Sequence, residues 1–116
     1  MLMAKYDHID RSVTDAMKRE AKRALAWRRE YGRGGTAVGV ARARDIANGK
    51  RLSIETWIEV FKYFSRHEVD KKAEGFRPGE KSYPSNGRIA WGLWGGDAGF
   101  ARAKKIRRQK EAADKK

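Results

Sequence analysis

Residues 66–70 read RHEVD and gather Arg66, His67, Glu68 and Asp70 within one short stretch. A histidine beside two carboxylates is the residue set that can hold a divalent cation for phosphodiester hydrolysis. The spacing argues against that use. Glu68 and Asp70 stand two apart at what reads as a helix end, so their side chains diverge. The plainer reading is a helix C-terminus whose acids pair with Arg66, Lys71 or Lys72. The only other histidine is His8, and the chain has no cysteine. Disulfides, thiolate metal sites and cysteine nucleophiles are therefore excluded. No nucleophile elbow, dinucleotide-binding glycine pattern or HExxH motif occurs either. The sequence predicts a protein that is not an enzyme and has no cofactor, metal or small-molecule substrate.

What remains is charge. Lys and Arg number 28 against 15 Asp and Glu, a formal net charge of +13. Such a chain attracts polyanions, nucleic acid first among them. The candidate phosphate contacts are Arg33, Arg42, Arg44, Lys50, Arg51, Arg102, Lys104, Lys105, Arg107 and Arg108. The segment GRGGT at 32–36 offers a further anion-binding device, a glycine-rich turn before a helix start whose N–H groups can cradle a phosphate. It is not a Walker sequence, and a simple turn between two helices explains it better. The second recognition chemistry is stacking. Trp91, Trp94 and Phe100 lie close in sequence to Arg88, Arg102, Lys104 and Lys105, the pairing of aromatics and cations that suits single-stranded DNA or RNA. Large rings in a small protein are more often core. Trp57 and Trp94 are read that way, which leaves Trp91, with Arg88 beside it, as the candidate stacking residue.

These side chains need helices to position them. Val13, Met17, Ala21, Ala24 and Arg28 recur at spacings of three and four, with Ser12 as the expected N-cap and Gly32 as the stop. A second helix is expected from Thr36 to Asn48-Gly49. A third is capped by Ser53 and carries Ile54, Trp57, Ile58, Phe61 and Phe64 at the core centre. Residues 69–85 hold both prolines and read as a long loop anchored by Phe76 and Tyr83. Ser85 and Asp97 are the expected caps of a fourth and a fifth helix. The predicted class is all-α, a compact bundle of four or five helices with a basic C-terminal helix or tail. The expected organisation is a flexible N-terminus at 1–11, a helical domain at 12–101 and a basic C-terminal extension at 102–116, a continuation of the fifth helix whose last part is solvated or ordered by a partner. No run of about 18 apolar residues is present, so no membrane partner is expected, and the N-terminus lacks the apolar core of a signal peptide.

Two resemblances extend this reading. Residues 38–64, VGVARARDIANGKRLSIETWIEVFKYF, resemble the recognition helix, turn and following helix of repressor-type helix-turn-helix domains. That resemblance implies that Arg42 and Arg44 reach bases or phosphates in a major groove. The upstream YGRGGT departs from the pattern, because it interrupts the helix that should come just before. Over residues 24–99, the strings GRGGTAVGVARARDIANGK, RHEVDKKAEGFRPGE and GRIAWGLWGGDAG look like a small domain associated with tailed bacteriophages, found alone or attached to head-maturation proteins. This resemblance implies one helical unit and a phage setting, in the cytoplasm of the infected bacterium or in the virion. It carries over no catalytic residue. The function expected from charge and resemblance together is non-enzymatic binding of DNA or RNA through phosphate contacts. The alternatives are a virion structural or head-assembly protein that meets phage head proteins, or a protein that binds and modulates a host protein.

Overall fold

The computed structural model describes residues 5–116 and is all-α: α1 Asp15–Tyr31, α2 Ala37–Ala47, α3 Ile54–His67, α4 Asn86–Leu93 and α5 Gly96–Asp114, with a short 3₁₀ segment, Glu68–Lys72, after α3. No strand occurs among the described residues. Each of the first four helices begins where a hydroxyl can take an otherwise unpaired N–H. Thr14, Thr36, Ser53 and Ser85 accept from the N–H groups of Met17, Gly39, Thr56 and Arg88 at 3.0–3.2 Å. Thr14 therefore replaces Ser12 as the cap of α1. Ser12 is used otherwise: its N–H donates to Asp10 Oδ1 at 3.0 Å, which holds the approach to α1 in a turn. Asp97 does not cap α5. The helix begins at Gly96, and Gly95, at φ 111°, makes the bend from α4 that only a glycine takes easily.

The apolar stripe of α3 is the centre of the molecule. Trp57, Val60 and Phe64 are fully enclosed, and Trp57 donates its indole N–H to the carbonyl of Arg11 at 2.9 Å. α3 packs on α5, while α1 packs on both α2 and α4. Three of the core rings meet in pairs, Phe64 edge-on to Trp91 at 4.6 Å and stacked with Phe100 at 5.1 Å. Close helix approach replaces bulk elsewhere. A methyl group at Gly92 would stand 2.8 Å from Ala24 Cβ, so this glycine sets the distance between α4 and α1. Residues 73–85 are an ordered connection: Phe76 is buried, Tyr83 meets Trp27 edge-on at 5.6 Å, and Glu80 accepts from the N–H groups of Gly75 and Arg77.

Both ends of the chain differ from the sequence expectation. Residues 1–4 of the expected flexible N-terminus lie outside the described residues. Of the rest, Ile9 is buried, while Lys5 and Tyr6 both reach Asp114. The basic extension belongs to α5, unbroken from Gly96 to Asp114, and its Ala103, Ile106 and Ala113 are buried, not solvated. Arg102 fastens the two ends by donating to the carbonyls of Asp10 and Ser12 at 3.0 and 3.1 Å. The cause is that small apolar residues on one face of α5 suffice when the N-terminal segment covers them. A sequence scan for large apolar residues passes over such a face.

Candidate nucleic-acid interface

The structure sorts the candidate cations into two groups. The first is consumed inside the fold. Arg33 donates to the carbonyl of Pro84 and to Asn86 Oδ1. Arg42 lies between Asp45 and Glu59 at 3.5 and 3.4 Å, and Arg107 pairs with Glu111 at 3.0 Å. Arg102 holds the N-terminal segment and also meets Asp10 at 3.3 Å. Lys50 reaches Asp45 at the outer limit of an ion pair, 4.0 Å. Arg88 is the most enclosed, with 11% of its side chain exposed; it pairs with Glu20 at 2.8 Å and lies over the ring of Trp27. Arg88 is held through Nη2 alone, and its Nη1 is enclosed without a partner among the described residues, so burial and the Glu20 carboxylate together keep this guanidinium from gripping a phosphate. The second group faces water without an acidic partner among the described residues: Arg44, Arg51, Lys104, Lys105 and Arg108.

Trp91 is not a stacking residue. It is 1% exposed, closed in by Phe64, Phe76 and Phe100, and its indole N–H donates to Asp97 Oδ1 at 3.0 Å. Asp97 also takes Lys71 Nζ at 2.8 Å. Burial acts to raise the Asp97 pKa, and the Lys71 and Trp91 hydrogen bonds outweigh it and hold the carboxyl ionised below its ordinary range. The rings do meet cations, but mostly not those nearest in sequence: Lys71 lies over Trp91, Arg42 over Trp94 and Arg88 over Trp27, and only Lys104 over Phe100 keeps a sequence-adjacent pairing. The Lys71 contact closes the corner between α4 and α5.

The GRGGT turn is likewise a packing element. Side chains at Gly34 and Gly35 would collide with Ile89 and Leu93 at 2.6 and 2.5 Å, and both glycines have positive φ. The backbone is pressed against α4 instead of opening toward an anion. The helix-turn-helix reading meets a second obstacle. Lys18 reaches Gly49, and Leu25 and Arg29 border the same cleft as Val40 and Arg44, so α1 and α2 run back along each other. The helices of a helix-turn-helix cross at about 90–120°.

That antiparallel pairing creates a site which sequence reasoning reached only through Arg44. Leu25, Arg28, Arg29, Val40 and Arg44 line a cleft of about 250 Å³. Arg28 is fixed by donating its Nε–H to the carbonyl of Gly34 at 3.0 Å, which orients the rest of its guanidinium. Among the described residues no carboxylate lines the cleft. Arg29 and Arg44 are exposed and project beside it. Arg28 and Arg29 are adjacent in the last turn of α1, where cations favour the helix dipole, and this structural use hides their shared direction. The readable signal was the turn itself: a tight break at 32–36 folds α2 back and brings position 44 level with position 25.

The RHEVD segment is the helix C-terminus that the sequence suggests, with α3 ending at His67, but its acids do not pair with Arg66, Lys71 or Lys72. His67 Nδ1 meets Asp70 Oδ2 at 3.3 Å, and Lys71 turns away to Asp97. No group of three metal-ligating side chains forms among the described residues. Among those residues no helix is long and apolar enough to cross a membrane. Comparison with models of known protein families, with curated proteins and with solved structures gave no match.

Proposed function

We propose that this protein binds nucleic acid, without catalysis, through phosphate contacts centred on the α1–α2 seam. The observation that carries the proposal is the cleft lined by Arg28, Arg29 and Arg44, with no carboxylate of the described residues among its walls. Arginine presents a planar fork that matches two phosphate oxygens, and three such groups around one concavity favour an anion over a neutral partner. Arg51 and the outward face of α5, with Lys104, Lys105 and Arg108, supply secondary contacts to a long polyanion. The elongated outline, 52 × 26 × 22 Å, gives such a strand or duplex room to touch more than one of these surfaces. The proposed setting is an infected bacterium, a reading supported only by the resemblance to phage-associated sequences. Fluorescence anisotropy with labelled DNA and RNA, titrated at several salt concentrations, tests the reading. Binding should fall linearly in log–log form with salt. Lack of binding to either nucleic acid at low salt would overturn it.

A further inference from the structure

A cavity of about 620 Å³ lies on another face, between the start of α2, the outer side of α3 and the start of α4. Its floor is apolar: Val38, Ala90 and Trp94, together with Gly35 and Gly87. Val38 is 60% exposed, an unusual position for a valine in a chain with few exposed apolar side chains. Tyr63 forms one wall. Its ring is clamped between Trp94 and His67, each 4.6 Å away between centroids. Tyr63 is only 6% exposed, yet its hydroxyl has no hydrogen-bond partner among the described residues. A buried hydroxyl left unpaired costs about 1–3 kcal/mol, so a fold keeps one where something else supplies the partner. Burial, reinforced by the Asp70 carboxylate, pushes the Tyr63 pKa up, which keeps the hydrogen available to donate.

The rim carries both signs, but its charges are not equally free. Glu59 is engaged by Arg42, and Asp70 by His67. Lys62 and Arg66 stand one turn apart on α3 and have no acidic partner among the described residues. The first turns of α2 and α4, at Thr36 and Asn86, add the positive ends of two helix dipoles. The Trp94 ring is stacked on Tyr63 and covered by Arg42, so the cavity combines an apolar lining at Val38 and Ala90, a buried hydroxyl without a partner among the described residues and two free cations at one edge. Its volume falls within the usual range of about 300–1,000 Å³ for small-ligand pockets.

We propose that this cavity holds one nucleoside monophosphate unit, with the base against Val38 and Ala90 and the phosphate at Lys62 and Arg66. The Tyr63 hydroxyl then meets a polar group of the base or sugar. The inference rests on the nucleic-acid reading and deepens it: alongside the backbone contacts of the α1–α2 seam, the protein accepts a single nucleotide, either free or as the unpaired end of a strand.

Isothermal titration calorimetry of the whole chain with each of the nucleoside monophosphates tests it. At least one should bind with a Kd below about 1 mM, and its unphosphorylated nucleoside at least tenfold more weakly, on the order expected for losing charge-assisted hydrogen bonds. The double variant Lys62→Gln with Arg66→Gln should weaken the monophosphate by roughly tenfold or more. Tyr63→Phe loses no partner in the free protein, so it should fold normally and weaken binding by roughly three- to tenfold. Competition with a short single-stranded oligonucleotide distinguishes the sources. Displacement shows the unit being read within a strand, and its absence shows a free nucleotide; both support the shared chemistry. Nucleosides binding as well as their phosphates, no monophosphate binding below about 1 mM, or affinity unchanged in both variants would overturn it. Arg29→Gln with Arg44→Gln should leave this titration unchanged while lowering affinity for long nucleic acid. Failure of the seam and failure of the cavity therefore read out separately.

Discussion

Arg88 at the α4–α5 corner and Arg44 on the α1–α2 seam belong to one residue type in one strongly basic chain, yet they have opposite uses. At the corner the cations are matched. Arg88 has Glu20, Lys71 has Asp97, and the rings of Trp27 and Trp91 fill the space around them. At the seam Arg28, Arg29 and Arg44 share a cleft with Leu25 and Val40 and with no acid among the described residues. The difference teaches that net charge does not locate a binding surface. What locates it is the remainder after internal pairing, and here that remainder gathers where two helices fold back on each other.

The sharpest way to break this comparison is at the corner. If Trp91 is a structural residue, Trp91→Ala should lower stability by about 3–5 kcal/mol, the range for emptying a large aromatic site, read by urea unfolding. Retained stability with lost nucleic-acid binding would reverse the assignment and make the corner the interface. The Arg88–Glu20 pair comes next. Glu20→Gln leaves a mostly enclosed guanidinium without its counter-charge and should cost about 2 kcal/mol, less than a fully buried pair because water still reaches part of it. Its effect on binding should be no larger than its effect on folding.

The seam should behave in the opposite way. Arg29→Gln with Arg44→Gln removes two exposed charges, so stability should change by no more than about 0.5 kcal/mol. The slope of log affinity against log salt should become shallower by about 1.8, two phosphate contacts at about 0.9 each for duplex DNA. An unchanged slope would empty the seam of its role. The smallest effect concerns the joined ends. The N–H of Ser12, with its hydroxyl and Arg102 in support, lowers the pKa of Asp10 to about 2. The carboxylate is depressed in the folded state, so its contribution is complete above about pH 4 and is lost as pH falls toward 2. Thermal melts across that window should decline less steeply for Asp10→Asn than for the unsubstituted chain.

Much of the fold was legible because local chemistry and tertiary packing agree. The hydroxyls at 36, 53 and 85 precede periodic apolar residues, and the stripe of α3 leaves one plausible centre. Where the two disagree, the sequence misled. Ser12 and Thr14 are both competent caps, and the choice is made by Asp10 and Arg102, a partner 90 residues away. Asp97 has the chemistry of a cap but is drawn to Trp91 and Lys71. The second half of α5 reads as solvated because its buried face is built from alanine and a single isoleucine. For the site, the sequence supplied the residue types but not the subtraction. Pairing of Arg33 with Asn86, or of Arg88 with Glu20, spans more than fifty positions and leaves no local trace. The Tyr63 hydroxyl was invisible for the same reason, since a missing partner is a property of three dimensions.

The meeting of Lys5 and Tyr6 with Asp114 has a topological consequence. Between Lys5 and Asp114 the path nearly closes on itself, so the order of its helices along the chain is separable from the way they pack. A circular permutant that joins the ends with a short flexible linker, and opens the chain at the exposed Gly79 turn, should assemble the same five helices. In that protein both new termini would lie in the connection between Asp70 and Asn86, two residues that line the α3 cavity, so a tether placed there would report on access to that cavity.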